Sequence, residues 1–195
     1  PLIEAQALDA GDWGNHLLVS VEDEETGLVS RALVTDAPLA TQVRLSTLTG
    51  VEPGSILDLS DSTTGDLVAR VKVRAVDLSA NNLVTLDGPG LTPAARGVAL
   101  AAIAANNPLG VRSREFRLSA HLLKRPDPAV PGRAEQTQYS EIFRNLSMDP
   151  RHTRYVEKVV GDIDGSLRLS DRRPEGESLY IRVRDQATGA AAQSL

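Results

Sequence analysis

The sequence predicts an α+β protein, a mixed α/β core domain interrupted by a smaller all-β, barrel-like insertion. Three observations carry this. Short strand patterns separated by turn signals dominate the first ninety residues and return after about residue 110. One segment, Tyr155 to Val160, carries a helical apolar stripe. The core has to be aliphatic, because 26 Leu and 18 Val stand against six aromatic residues in a chain of 195. The core domain is expected over 1–40 and 106–195, discontinuous in sequence, with the insertion at 41–105.

Along the chain, Leu17–Glu22 passes from an apolar run into alternation, and Leu28–Thr35 answers it across Asp23-Glu24-Glu25-Thr26-Gly27. That pattern predicts a hairpin. The Asp carboxylate bonds backbone N–H groups ahead of it, and Gly supplies the left-handed residue that closes the turn. The same D-x-x-T-G solution recurs at Asp61–Gly65 and Asp185–Gly189, without the flanking similarity of a repeat protein. Val43–Leu48, Ser55–Leu59, Asp66–Val76 and Leu83–Leu86 then read as short, closely spaced strands. In the third, Val68, Arg70, Lys72 and Arg74 face one way and Leu67, Ala69, Val71, Val73 and Ala75 the other. Such spacing suggests a small closed barrel.

Thr92-Pro93 resembles an N-cap followed by a first helical residue, so Leu91–Ala95 predicts one helical turn. The Val98/Leu100 alternation after Gly97 favours a last barrel strand over Gly97–Ala104. Glu115–Leu123 alternates, with Phe116, Leu118, Ala120 and Leu122 inward. Lys124–Arg133 holds three Pro and a Gly and reads as a loop. Gln138–Leu146 predicts a strand. A helix follows in which Asp149 is the N-cap, Pro150 the first residue and Gly161 the terminator. Leu179–Val183 is the final strand.

Composition excludes several classes of function. No Cys is present, so disulfide scaffolds, Cys-ligated metals and thiol nucleophiles are ruled out. No apolar run is long enough to predict a membrane span. The net charge is -5, and the locally basic stretches Arg112–Arg117 and Arg168–Arg173 read as solvated or subunit-contact faces, so no nucleic-acid partner is expected. His16, His121 and His152 lack metal-ligand spacing and read as surface residues. The acidic run Glu22–Glu25 lacks calcium-loop spacing, Gly88-Pro89-Gly90 is a turn rather than a phosphate cradle, and no nucleophile elbow occurs. No catalytic, cofactor-binding or metal site is expected, and the chain reads as a non-enzyme.

Two segments together resemble the sheath protein of contractile tails, found in phages and related extracellular injection particles. One is Ala10-Gly11-Asp12-Trp13-Gly14-Asn15-His16-Leu17-Leu18-Val19, similar to the family's P-G-x-W-G-N-x-L-x-V strand start. The other is Glu141-Ile142-Phe143-Arg144-Asn145-Leu146-Ser147-Met148-Asp149-Pro150, similar to its E-x-F-x-N-L-S-M-D-P stretch. The match covers roughly 8–22 and 114–170, and the β-rich segment between them departs from it.

The resemblance implies a sheath-type core and a structural role for the motif residues. Trp13 would anchor the first core strand, Gly14 would let the backbone approach its neighbour, and Asn15, Phe143 and Leu146 belong to the same motifs. Asn145 and Ser147 would bond backbone where strand turns into helix, ahead of Asp149 and Pro150. It also implies other sheath subunits and an inner tube protein as partners, with no cofactor. Assembly would take place in the bacterial cytoplasm before release in a virion or extracellular particle. The family's terminal arms and C-terminal domain are not matched, so the chain by itself is expected to be monomeric. A second reading is a surface-exposed module on such a particle that recognises carbohydrate or a host surface, although the predicted barrel holds no aromatic residue for sugar stacking.

Overall fold

Strand alternation over 42–86 folds much as the period-2 pattern requires in the computed structural model, which describes residues 3–24, 29–33, 39–124, 136–165 and 177–186. In chain order the first strands are β1 (Ile3–Ala7), β2 (Leu17–Glu24), β3 (Val29–Leu33), β4 (Gln42–Leu45), β5 (Ile56–Ser60), β6 (Leu67–Asp77) and β7 (Leu83–Leu86). Helix α1 (Pro93–Ala104), β8 (Gly110–Ser113), β9 (Glu115–Lys124), β10 (Gln136–Leu146), α2 (Val156–Val160) and β11 (Ile181–Asp185) follow. The described content is mainly strand with short helices, an α+β mixture.

The chain divides into two compact units. One comprises Pro1–Glu24, Phe116–Met148 and Arg154–Leu195, and the other Glu25–Glu115 with Asp149–Thr153. The second unit is a closed barrel in the order β3-β4-β7-β6-β5-β8. The expected insertion boundaries therefore fall inside it. Strand β3 pairs with β4 and β8, and β8 pairs with β5, so the barrel closes only with residues outside 41–105. The hairpin expected between 17–22 and 28–35 is not formed either. Strand β2 instead lies beside β9, while β3 joins the barrel.

Val43, Leu57, Val73 and Val84 are fully buried in the barrel, with Leu45, Leu59, Leu86, Leu109 and Val111 around them. The predicted faces of β6 hold from Ala69 to Val73, but at its start, beside a register shift, Leu67 is exposed and Val68 packs against the core, the reverse of the expectation. A register shift between Val73 and Ala75 then turns Ala75 outward and packs Val76 against the core. The Asp61–Gly65 turn follows the expected mechanism. Asp61 Oδ1 accepts from the N–H groups of Thr63 at 2.7 Å and Thr64 at 3.0 Å, and Gly65 sits at φ +79°. The other two D-x-x-T-G turns include residues outside those described.

The predicted strand over 97–104 is instead the body of α1. Thr92 Oγ1 accepts from Ala95 N at 3.2 Å, and Pro93 opens the helix. Ala95 and Ala99, one turn apart, are buried against the barrel core, while Val98 and Leu100 are 44% and 42% exposed. The apparent alternation was a pair of outward-facing residues on a helix.

In the first unit, β10-β9-β2 forms a three-stranded sheet and β1 pairs antiparallel with β11 as a two-stranded one. Leu118 and Ala120 of β9 join Phe143, Leu146, Tyr155, Val156, Val159, Val160, Ile181 and Val183 in a second core. The helix ends at Gly161 as predicted, with φ +105°, but it begins only at Val156. Its N-cap is Tyr155, not Asp149, and Pro150 is an exposed turn residue.

Candidate functional site

The W-G-N residues form a 3-10 turn, Asp12–His16, directly ahead of β2. Trp13 is half-buried, and its ring meets Tyr180 edge-on at 6.4 Å. Tyr180 stacks in turn against Tyr139 at 6.4 Å. Two glycines make room for this turn. A Cβ on Gly11 would lie 2.7 Å from the indole Cδ1, and one on Gly14 would lie 3.3 Å from Ala7 Cβ on β1. Asn15 is exposed.

At the other motif, Phe143 and Leu146 point into the core at 9% and 0% exposure. Asn145 acts through its backbone rather than its side chain. It adopts φ +54° inside a register shift between Phe143 and Leu146, a conformation Asn tolerates better than most residues. Its N–H donates to Glu24 Oε2 at 2.5 Å, and Arg144 pairs with Glu24 Oε1 at 3.1 Å. Ser147 exchanges backbone hydrogen bonds with the start of α2, donating to Arg154 O and accepting from Val156 N, each at 3.0 Å. The strand-to-helix junction is therefore main chain paired to main chain.

Asp149 is the most constrained charge of the barrel unit. It is 5% exposed, and Oδ2 lies 2.6 Å from Lys72 Nζ and 2.9 Å from Arg151 Nη2. Oδ1 accepts from the Arg151 backbone N–H at 2.8 Å. Arg151 reaches on to Asp87 Oδ2 at 2.5 Å. Burial by itself would raise the Asp149 carboxyl, but the hydrogen bonds from Arg151 and Lys72 outweigh it and hold the group far below the usual carboxylate range. Two cations thus alternate with two carboxylates, each engaged by an opposite charge. Such an arrangement holds a chain segment in place.

His152, expected at the surface, is 2% exposed. Its Nδ1 lies 3.2 Å from Glu52 Oε1, which also accepts from Thr153 Oγ1 at 2.6 Å, and its Nε2 lies 4.0 Å from Glu115 Oε1. The partners Glu52, Lys72, Asp87 and Glu115 were not identified from sequence, since they lie 37–101 positions away. Gly54, at φ +94°, abuts Asp149.

His121 Nδ1 lies 2.9 Å from Ser140 Oγ, but these residues are direct cross-strand neighbours, and no carboxylate among the described residues bonds the other ring nitrogen. An open barrel pocket of about 370 Å³ is lined by Ser46, Thr47, Thr49, Val76, Leu78 and Asn82, among others, with no ionisable side chain. Among the described residues, no group of three or more His, Asp or Glu side chains is placed to hold a metal ion, and no helix is long and apolar enough to cross a membrane. No protein-family model, curated protein or solved structure matches this chain.

Proposed function

We propose that the chain is a structural subunit of a contractile tail sheath, which polymerises around an inner tube and shortens to drive it through a target envelope. One observation carries the reading. The W-G-N turn and the Glu141–Met148 part of the second motif, whose Glu141 comes 128 positions after Trp13, belong to one compact unit, while Asp149 and Pro150 of that motif and the segment 25–115 belong to the other. The motif residues occupy turns, a bulge and core positions, which suits a scaffold whose work is done through subunit contacts. Its partners would be further sheath subunits and the tube protein, and the reaction cycle would need no cofactor. The test is to co-express the parent gene product with the protein encoded immediately downstream. Negative-stain electron microscopy is expected to show a ribbed sleeve around a tube, and dispersed particles with no tube would overturn the reading.

A further inference from the structure

Residues Asp149–Thr153 join the barrel unit from beyond its continuous run Glu25–Glu115, and none of the five belongs to either apolar core. Polar contacts hold them. Asp149 is bound by Lys72 of β6, Arg151 reaches Asp87 beyond β7, and His152 and Thr153 both meet Glu52. The groove that receives the segment is closely fitted. Gly54 sits at φ +94°, and a Cβ there would lie 2.9 Å from both Cβ and Cγ of Asp149.

The barrel strands, by contrast, bury Val43, Leu57, Val73 and Val84 completely. Proteins open locally where few apolar contacts have to break, in pieces much less stable than the whole. Lifting 149–153 away breaks ion pairs and hydrogen bonds and bares the buried His152, but removes no member of either apolar core. We propose that Asp149–Thr153 is a clasp that unravels from the barrel and re-forms on it, without unfolding its strands, and that Asp149 is the pin. This concerns the chain's own stability and stands apart from the sheath reading.

Hydrogen exchange on the full chain tests it. The Arg151 and His152 amides, bonded to Asp149 Oδ1 and Asp149 O, report the clasp. The Val73 and Leu86 amides, bonded to Ser55 O and Thr41 O, report the barrel. In the unmodified chain the first pair is expected to exchange about 100-fold faster than the second. Asp149→Asn and Lys72→Met should each speed the clasp amides by roughly another tenfold and leave the barrel amides unchanged. Gly54→Ala should do the same while keeping every charge, because the added methyl displaces the pin. Equal exchange of all four amides in the unmodified chain would overturn the clasp, and that measurement needs no variant to fold. Fast clasp amides that ignore all three substitutions would overturn Asp149 as the pin, and equal acceleration of both pairs would show the segment to be integral to the barrel.

Discussion

All six aromatic residues of the chain, Trp13, Phe116, Tyr139, Phe143, Tyr155 and Tyr180, lie in the first unit, and the barrel unit contains none. The two units solve the packing problem differently. The barrel closes its sheet on itself, so its ladder hydrogen bonds satisfy one another around the ring. Its interior is narrow enough for Val and Leu to fill. The other unit has only a two-stranded and a three-stranded sheet, and it uses larger side chains, Phe143 and Tyr155, to fill the space between strands and α2. Closure removes edges, whereas open sheets leave them to be covered. Burial pushes the Tyr155 hydroxyl's pKa up, and the nearby Glu157 and Asp185 push it further, so the ring stays neutral in that core.

This contrast makes the units separately observable. Trp13 fluorescence and aromatic circular dichroism report only the first unit, while far-ultraviolet circular dichroism reports both. The largest expected effect is from Leu57→Ala, which empties a fully buried barrel position and should cost about 2–5 kcal/mol. In a denaturant titration the far-ultraviolet signal should lose part of its amplitude earlier, while the Trp13 midpoint stays where it was. Leu118→Ala, fully buried in the other core, should do the converse. If both signals shift together in either variant, the two units unfold as one, and the comparison fails.

The barrel was also the more legible unit. Leu83–Leu86 was read with the bounds observed for β7, because alternation with one wet face is written locally. What escaped was written elsewhere. Strand β1 pairs with β11 at the far end of the chain, Ile3 opposite Asp185, and nothing near residue 3 announces that partner. Strand β8 is four residues long and follows a turn, too short for a period to show. The Asp149-Pro150 pair carries ordinary N-cap grammar, yet Lys72 and Arg151 engage its carboxylate and the helix starts six residues after Pro150. Alanine-rich 97–104 was misread because Val98 and Leu100 looked like a strand face, when the buried stripe is the small residues Ala95 and Ala99.

That misreading yields the next test. Thr92 begins a helix of twelve residues whose inner face is mostly alanine, so little apolar area holds it down. Thr92→Ala removes the side-chain acceptor for Ala95 N and should cost about 1 kcal/mol. The loss should appear in the far-ultraviolet transition and leave Trp13 untouched. Thr92→Asp should restore most of it, since a carboxylate serves the same N–H and favours the positive end of the helix dipole.

The smallest effect concerns the barrel's outer surface. Asp58 accepts a two-pronged hydrogen bond from Arg70, at 2.7 and 3.0 Å, and a third from Arg114 at 2.8 Å. Burial would raise the Asp58 carboxyl, but Arg70 and then Arg114 bring it below its ordinary value. A carboxyl whose folded pKa is depressed adds stability at pH values above its unfolded pKa and loses it as pH falls through the folded one. The Asp58–Arg70 coupling should therefore be constant from pH 8 to 5 and fade below about pH 4. Both side chains are partly solvated, at 15% and 29% exposure, so a double-mutant cycle with Asp58→Asn and Arg70→Met should return no more than about 1 kcal/mol. Raising the salt concentration should shrink it further. A coupling that survives to pH 3, or one that salt leaves unchanged, would mean that the shape of the pair rather than its charge supports this face of the barrel.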